Sequence, residues 1–270
     1  MGEGWEQGKR SGADGSLLGV HRLDPRTKLI LVVVYIAILF LAKWFVSYAL
    51  VLALLMAVIT ISCVSLKTIL KSMKPLIFII VLTGLLNLFY TQGEPLVSFW
   101  IFTITRQGIE RAFFMILRLT MLVAGTFMLT YTTSPIALTD GLEQLLRPLN
   151  KIRVPVHELS MMMCIALRFI PTLTQETAKI ISAQKARGAD FESGNLLRRA
   201  KAMVPILVPL FISSFRRADE LATAMECRCY HGGEGRTKMK QLRYGALDTR
   251  AFVLGAVALV AVVALRSVGL

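Results

Sequence analysis

Three histidines, four cysteines and 17 acidic residues are a small stock of metal-binding groups for this 270-residue chain. The histidines, at 21, 157 and 231, stand apart with no convergent partners, so a membrane-embedded enzyme finds no constellation here. The cysteines, at 63, 164, 227 and 229, make no disulfide framework and fit a reducing compartment for the polar half. Cys227, Cys229 and His231 alternate, but zinc takes four ligands at looser loop spacing, and no metal site or cofactor is assigned. The phosphate loop Gly-x-x-x-x-Gly-Lys-Ser/Thr is missing, and the chain is expected to be non-catalytic. A self-sufficient carrier would show internal repeats or broken helices, and no convincing repeat is present. Residues 1–20, rich in glycine and mixed charge, lack the apolar core of a signal peptide and are expected to form a loose cytoplasmic tail.

What the chain has in abundance is apolar surface. Hydrophobic residues make up 55% of it and the mean hydropathy is +0.61, above the roughly 45–50% apolar share of soluble domains. The composition is that of a membrane protein. The net charge of +14 is uneven, with 18 Lys/Arg against 11 Asp/Glu in residues 132–250. Such a region suits nucleic acid in principle, but it lacks aromatic interleaving and adjoins apolar spans. An anionic leaflet and acidic partner grooves are its expected counterparts, and no nucleic acid is.

Taken in order, Asp24 is placed to cap a helix that Pro25 starts, with Arg26 and Lys28 at the membrane edge. The next 36 residues, Leu29 to Val64, are almost unbrokenly apolar, about twice what one span needs. Lys43-Trp44 suits a water–hydrocarbon interface and divides them into spans Leu29–Ala42 and Trp44–Val64. Ser65–Lys74 carries Lys67, Lys71 and Lys74 without an acid, the mark of a cytoplasmic loop, which sets the N-terminus inside. Pro75–Tyr90 is the third span, Gln92–Gln107 an outside or re-entrant segment, and Ile109–Tyr131 the fourth span. That span holds Arg111 and Arg118 on one face; the deeper Arg118 is expected to face protein rather than lipid.

Ser134 and Pro135 then signal a helix start. A long helix is predicted from His157 to Arg187, with Met161, Met162 and Met163 as an adaptable apolar surface. A second begins near Pro205–Pro209 and carries Ser214, Ala218 and Ala222, small residues spaced by four that would let the two long helices cross. Gly232–Arg250 is expected to be a flexible basic linker, and Ala251–Leu265, extendable to Leu270, the fifth span, which leaves the C-terminus outside.

The two long amphipathic patterns end alike. One runs out at Ala183-Gln184-Lys185-Ala186-Arg187-Gly188 and the other, 41 residues later, at Ala224-Met225-Glu226-Cys227-Arg228-Cys229. An exposed arginine at a helix end offers a planar fork to a carboxylate in a partner groove. The competing reading is that both are ordinary last-turn cations favoured by the helix dipole.

These segments, with Leu23-Asp24-Pro25-Arg26-Thr27-Lys28, Thr132-Thr133-Ser134-Pro135, Leu167-Arg168-Phe169-Ile170-Pro171 and Ser214-Phe215-Arg216-Arg217-Ala218, give the chain a specific resemblance. It resembles, over nearly its whole length, the transmembrane coupling subunits (T components) of energy-coupling factor transporters, ABC-type importers of vitamins and trace metals. The resemblance implies an all-α integral membrane protein of about five transmembrane helices plus a cytoplasmic region of long amphipathic coupling helices. Its expected divisions are a tail over 1–28, a four-span membrane region over 29–131, the coupling region over 132–250 and a final span over 251–270. It implies a bacterial plasma membrane protein, with N-terminus and coupling region cytoplasmic, that links ATP hydrolysis by two ABC-type ATPase subunits to reorientation of a substrate-binding S component for vitamin uptake. Ala186, Arg187, Gly188, Glu226 and Arg228 would dock the ATPases, and Ser214, Ala218, Ala222, Met161, Met162 and Phe169 would serve helix crossing and S-component contact. Cys229 departs from the family's usual glycine and lacks that residue's backbone freedom. A T subunit dedicated to a cobalt or nickel importer is the alternative, since metal recognition would lie in the partner.

Overall fold

A computed structural model describes residues 18–42, 44–62, 64–90, 95–99, 102–189, 191, 195–232 and 242–268. Lys43, Cys63, Trp100, the first 17 residues, most of the predicted basic linker and Leu270 lie outside the described residues. The chain forms two compact units, Met1–Leu142 with Leu242–Leu270, and Glu143–Gln241. Apart from one hairpin, the regular elements among the described residues are helices.

In the first unit, α1 (Leu18–His21) leads into α2 (Pro25–Leu41), α3 (Phe45–Ile61) and α4 (Leu66–Met73). As the sequence predicts, Asp24 caps α2, its carboxylate accepting from the Arg26 N–H, with Pro25 in the first turn where a missing N–H leaves no bond unmade. Along α3, Tyr48, Val51, Leu55 and Ile59 are buried at helical spacing, which turns one stripe into the bundle. A 3₁₀ turn (Lys74–Leu76) joins α4 to α5 (Ile77–Tyr90). Here the expectation of a loop over 65–74 is corrected. Ile69 and Met73, one turn apart, are buried and draw the segment into a helix whose lysines stay exposed.

The predicted outside or re-entrant segment contains an antiparallel hairpin, β1 (Pro95–Phe99) and β2 (Phe102–Thr105), paired from Pro95↔Thr105 to Phe99↔Phe102. The next helix, α6 (Arg106–Thr132), starts earlier than the sequence suggests because the Thr105 hydroxyl accepts from the Gly108 N–H. It packs along α5 and α2. Gly125 lies against Tyr35, where a Cβ would stand 2.3 Å from the ring, so glycine is what lets α6 and α2 approach. Tyr35 itself donates to the Met121 carbonyl at 2.9 Å. Arg118 does turn inward: its Nε donates to the Tyr48 hydroxyl at 2.8 Å and its Nη2 to the Ala42 carbonyl at 3.3 Å. A charge deep in the span is thereby given protein acceptors.

Ser134 caps α7 (Pro135–Leu146) through the Ala137 N–H, again as predicted. The unit closes with α10 (Ala246–Val268), reached after the second unit's helices; it begins earlier than expected and packs on α2 and α3. Its outward Val253, Leu254, Val257 and Val260 remain exposed, as do Phe78, Ile79 and Val81 of α5. Apolar faces of this size suit lipid.

The second unit holds a 3₁₀ turn (Arg147–Ile152) and two helices of 31 residues each, α8 (Val156–Ala186) and α9 (Leu196–Glu226). Arg153 ends the turn in the left-handed region. Helix α9 starts well before Pro205, correcting the predicted start near Pro205–Pro209. The two prolines lie four apart, so the amide missing at Pro209 would have bonded the Pro205 carbonyl, and the helix continues through both.

Among the described residues, four helical segments are long and apolar enough to cross a membrane: Leu66–Phe89, Arg106–Thr132, Val156–Ala186 and Ala246–Ser267. Phe45–Ile61 is a shorter apolar helix. The chain is an all-α, multi-pass membrane protein. Helix α8 meets the same criterion of length and composition although its second half carries Gln175, Glu176, Lys179 and Lys185.

Candidate functional site

The site is built from the ends of α8 and α9. In α8, the Gly188 N–H bonds the Lys185 carbonyl at 3.0 Å and the Ala189 N–H bonds the Gln184 carbonyl at 3.0 Å. In α9, the Cys229 N–H bonds the Glu226 carbonyl at 2.9 Å and the Tyr230 N–H bonds the Met225 carbonyl at 3.0 Å. Both are the Schellman ending, in which the residue after the cap turns left-handed. Gly188 has φ 84° and Cys229 φ 55°. The sequence-based doubt about Cys229 is thus resolved in backbone terms, since the cysteine adopts the conformation that glycine takes more cheaply.

Arg187 and Arg228 are the cap residues of these two endings, each bonding backward through its own N–H, to Gln184 at 3.1 Å and to Met225 at 3.1 Å. Most of the last-turn carbonyls are already satisfied by backbone donors, so neither guanidinium is needed to cap its helix. Both side chains are exposed, and among the described residues neither has a hydrogen-bond or ion-pair partner. Ala186 and Glu226 beside them are also exposed. Among the described residues, the spent carbonyls leave two exposed, permanently charged planar forks, a geometry that suits a carboxylate.

The helices meet further back. Glu176 of α8 accepts from Ser213 Oγ at 2.5 Å and from Arg217 Nη2 at 2.6 Å, both on α9. The small-residue stripe that the sequence singled out lies one position on: Ser214 is half-buried with its hydroxyl on the Leu210 carbonyl, while Ala218 and Ala222 are exposed. Sequence reasoning missed Glu176. Its signal was an acid lying beside Leu173, Thr177 and Ile180 on the apolar stripe, where a carboxylate needs a partner. On the first turns of α8, Met162 is exposed while Met161 and Phe169 are half-buried. Nearby, Glu143 receives Ser160 Oγ at 2.8 Å and lies 3.2 Å from His157 Nδ1, tying the end of α7 to the start of α8.

No cluster of metal-ligating side chains occurs among the described residues. Residues 19–239 match the family described as cobalt transport protein, CbiQ. A protein of Thermosediminibacter oceani called energy-coupling factor transporter transmembrane protein EcfT is 54% identical over 234 residues, 87% of this chain and 88% of that one. Its namesake in Bacillus subtilis is 48% identical over 235 residues, covering 87% and 89%. That in Lactococcus lactis is 44% identical over 231 residues, covering 85% and 87%. With its bundle of apolar helices and its two arginine-tipped ones, the chain belongs to the CbiQ family, among the transmembrane subunits of energy-coupling factor transporters.

Proposed function

We propose that the chain couples ATP hydrolysis by two ABC-type ATPase subunits to reorientation of a substrate-binding S component during vitamin uptake. The observation that carries this reading is the repeated helix ending, with Arg187 and Arg228 each exposed at the cap of a Schellman motif. Each guanidinium enters an acidic groove on one ATPase. Closure of the ATPase pair moves both grooves, and α8 and α9 follow because Glu176 and Arg217 join them. The exposed apolar residues of these helices, Met162, Val208, Phe211 and Phe215 among them, face the S component.

The coupling region, 132–250, and the N-terminus lie in the cytoplasm of a bacterium. Exposed Lys67 and Lys71 of α4, and Lys74 just after it, with no acid among residues 65–74, support this orientation. The four-span region 29–131 and the span 251–270 hold the subunit in the plasma membrane.

The test is Arg187→Glu together with Arg228→Glu in the complex purified in mild detergent. Loss of both ATPases is expected; retention of both with uptake intact overturns the reading. Co-purified small membrane proteins separate a shared subunit, with several, from a dedicated cobalt or nickel importer, with one. The family's description as cobalt transport favours that second reading, whereas the relatives' shared name specifies no substrate.

A further inference from the structure

A densely connected polar cluster lies at the start of α2. Asp24, Thr27, Lys28 and Asp248 are all at least 94% buried, since none exceeds 6% exposure. Lys28 Nζ donates to the Thr132 carbonyl at 2.8 Å, the last residue of α6, and to the His21 carbonyl at 3.4 Å. Arg26 Nη2 donates to the Leu242 carbonyl at 2.6 Å, and its guanidinium lies over the Tyr244 ring, 4.8 Å from the centroid. The Asp24 N–H donates to Asp248 Oδ1 at 2.9 Å, and the other oxygen of Asp248 receives the Gly245 N–H at 2.8 Å. Asp24 also faces Arg26 Nε at 3.4 Å. Against the same backbone lies Gly141 of α7, where a Cβ would stand 3.0 Å from the Pro25 Cβ and 3.2 Å from the Arg26 nitrogen.

The partners share one property. Thr132 ends α6, ten residues before the first unit breaks off at Leu142, and Leu242 is where that unit resumes. Stability alone is a poor reason for this chemistry, because buried charges seldom outperform apolar residues of the same size. Directional bonds to carbonyls at both ends of one connecting segment do something apolar contacts cannot. They fix where those ends stand, and moving either end must break a charge-assisted bond or drag α2 with it. Helix α2 packs on both α6 and α10.

We propose that Asp24, Arg26 and Lys28 form a clasp that carries displacement of the coupling region into the membrane bundle, Lys28 holding its outgoing end and Arg26 its returning end. The inference rests on the coupling function proposed above. These are positioning residues, and they touch neither ATP nor transported substrate.

The test uses the complete complex as it co-purifies, with ATP and vanadate as the probe and deuterium uptake as the readout. In the wild type, ATP and vanadate change uptake both in α8 and α9 and at the far end of α2, residues 37–41. In Lys28→Met and in Arg26→Ala, the α8 and α9 response persists while the far-end response shrinks to less than about a third. A merely structural role would lower the yield of complex without changing how the response is divided. The Arg26 side chain, 13% exposed, is less deeply buried than Lys28, and Arg26→Ala carries the test by itself if Lys28→Met does not assemble. A far-end response equal to wild type overturns the clasp and leaves the coupling reading intact. A wild-type complex whose α8 and α9 do not respond to ATP overturns the coupling reading, and the clasp with it.

Discussion

Gly188 and Cys229 occupy the same position in two copies of one helix ending, each left-handed, each one residue after an exposed arginine. A side chain in that conformation strains against its own backbone, by about 1 kcal/mol for a residue other than glycine. Cys229→Gly should therefore stabilise the end of α9 by about that amount and slow amide exchange at Tyr230 about fivefold. Gly188→Ala should speed exchange at Ala189 to a similar degree. Unchanged exchange in both variants would mean that the left-handed turn does not hold these ends together.

The tight fit of α6 on α2 gives a second expectation. Gly125→Ala places a methyl 2.3 Å from the Tyr35 ring, and the ring cannot swing away without losing its bond to Met121. The variant should lose about 1–3 kcal/mol, seen as a lower unfolding temperature in detergent. Tyr35→Leu in the same chain should recover part of that loss. A Gly125→Ala protein as stable as wild type would contradict the packing.

Arg118→Met removes the donor to Tyr48 and to the Ala42 carbonyl and should destabilise by about 1–3 kcal/mol. Arg118→Lys should recover only part of this, because a lysine ammonium cannot reproduce the arginine's fixed fork. Tyr48→Phe should cost less than Arg118→Met, since the Ala42 bond remains. Thermal unfolding of the three variants checks the order.

Glu176→Gln and Arg217→Met, singly and together, form a double-mutant cycle across the α8–α9 contact. An interaction energy of about 1 kcal/mol is expected for a half-buried pair that shares a carboxylate with Ser213. Zero interaction in amide exchange along α8 would show that the helices meet by apolar contact alone.

Much of this architecture was legible because it is local chemistry. Asp24-Pro25 and Ser134-Pro135 announce their helices by cap and missing amide, and structure and sequence agree there. The arginine tips were visible as the points where two periodic patterns stop. Long-range partners were not legible. Nothing local tells Glu176 that it will meet Arg217, or Lys28 that its acceptor is Thr132, 104 residues away. Segment 65–74 was misread for a related reason: its lysines spoke for a loop, whereas burial of Ile69 and Met73 against the bundle decided for helix. Prolines 205 and 209 misled in the same way, since each forbids only one i→i−4 backbone bond and the helix continues through both.

The contact between Glu176 and Arg217 also sets a mechanical ratio. Each lies eleven residues before its helix's terminal arginine, about 16 Å of helix. Toward the other end, α8 runs twenty residues back to Val156 and α9 twenty-one to Leu196, about 30 Å on each side. Pinned there, the pair resembles shears with matched blades and handles about twice as long. A rotation of about 20° would shift the arginine tips relative to each other by roughly 5 Å and the opposite ends by about twice that. The handles carry all three interior prolines, Pro171, Pro205 and Pro209, and the blades carry none. On the coupling function proposed above, stiffness is kept at the end that would receive force, and compliance is placed where the stroke would be delivered.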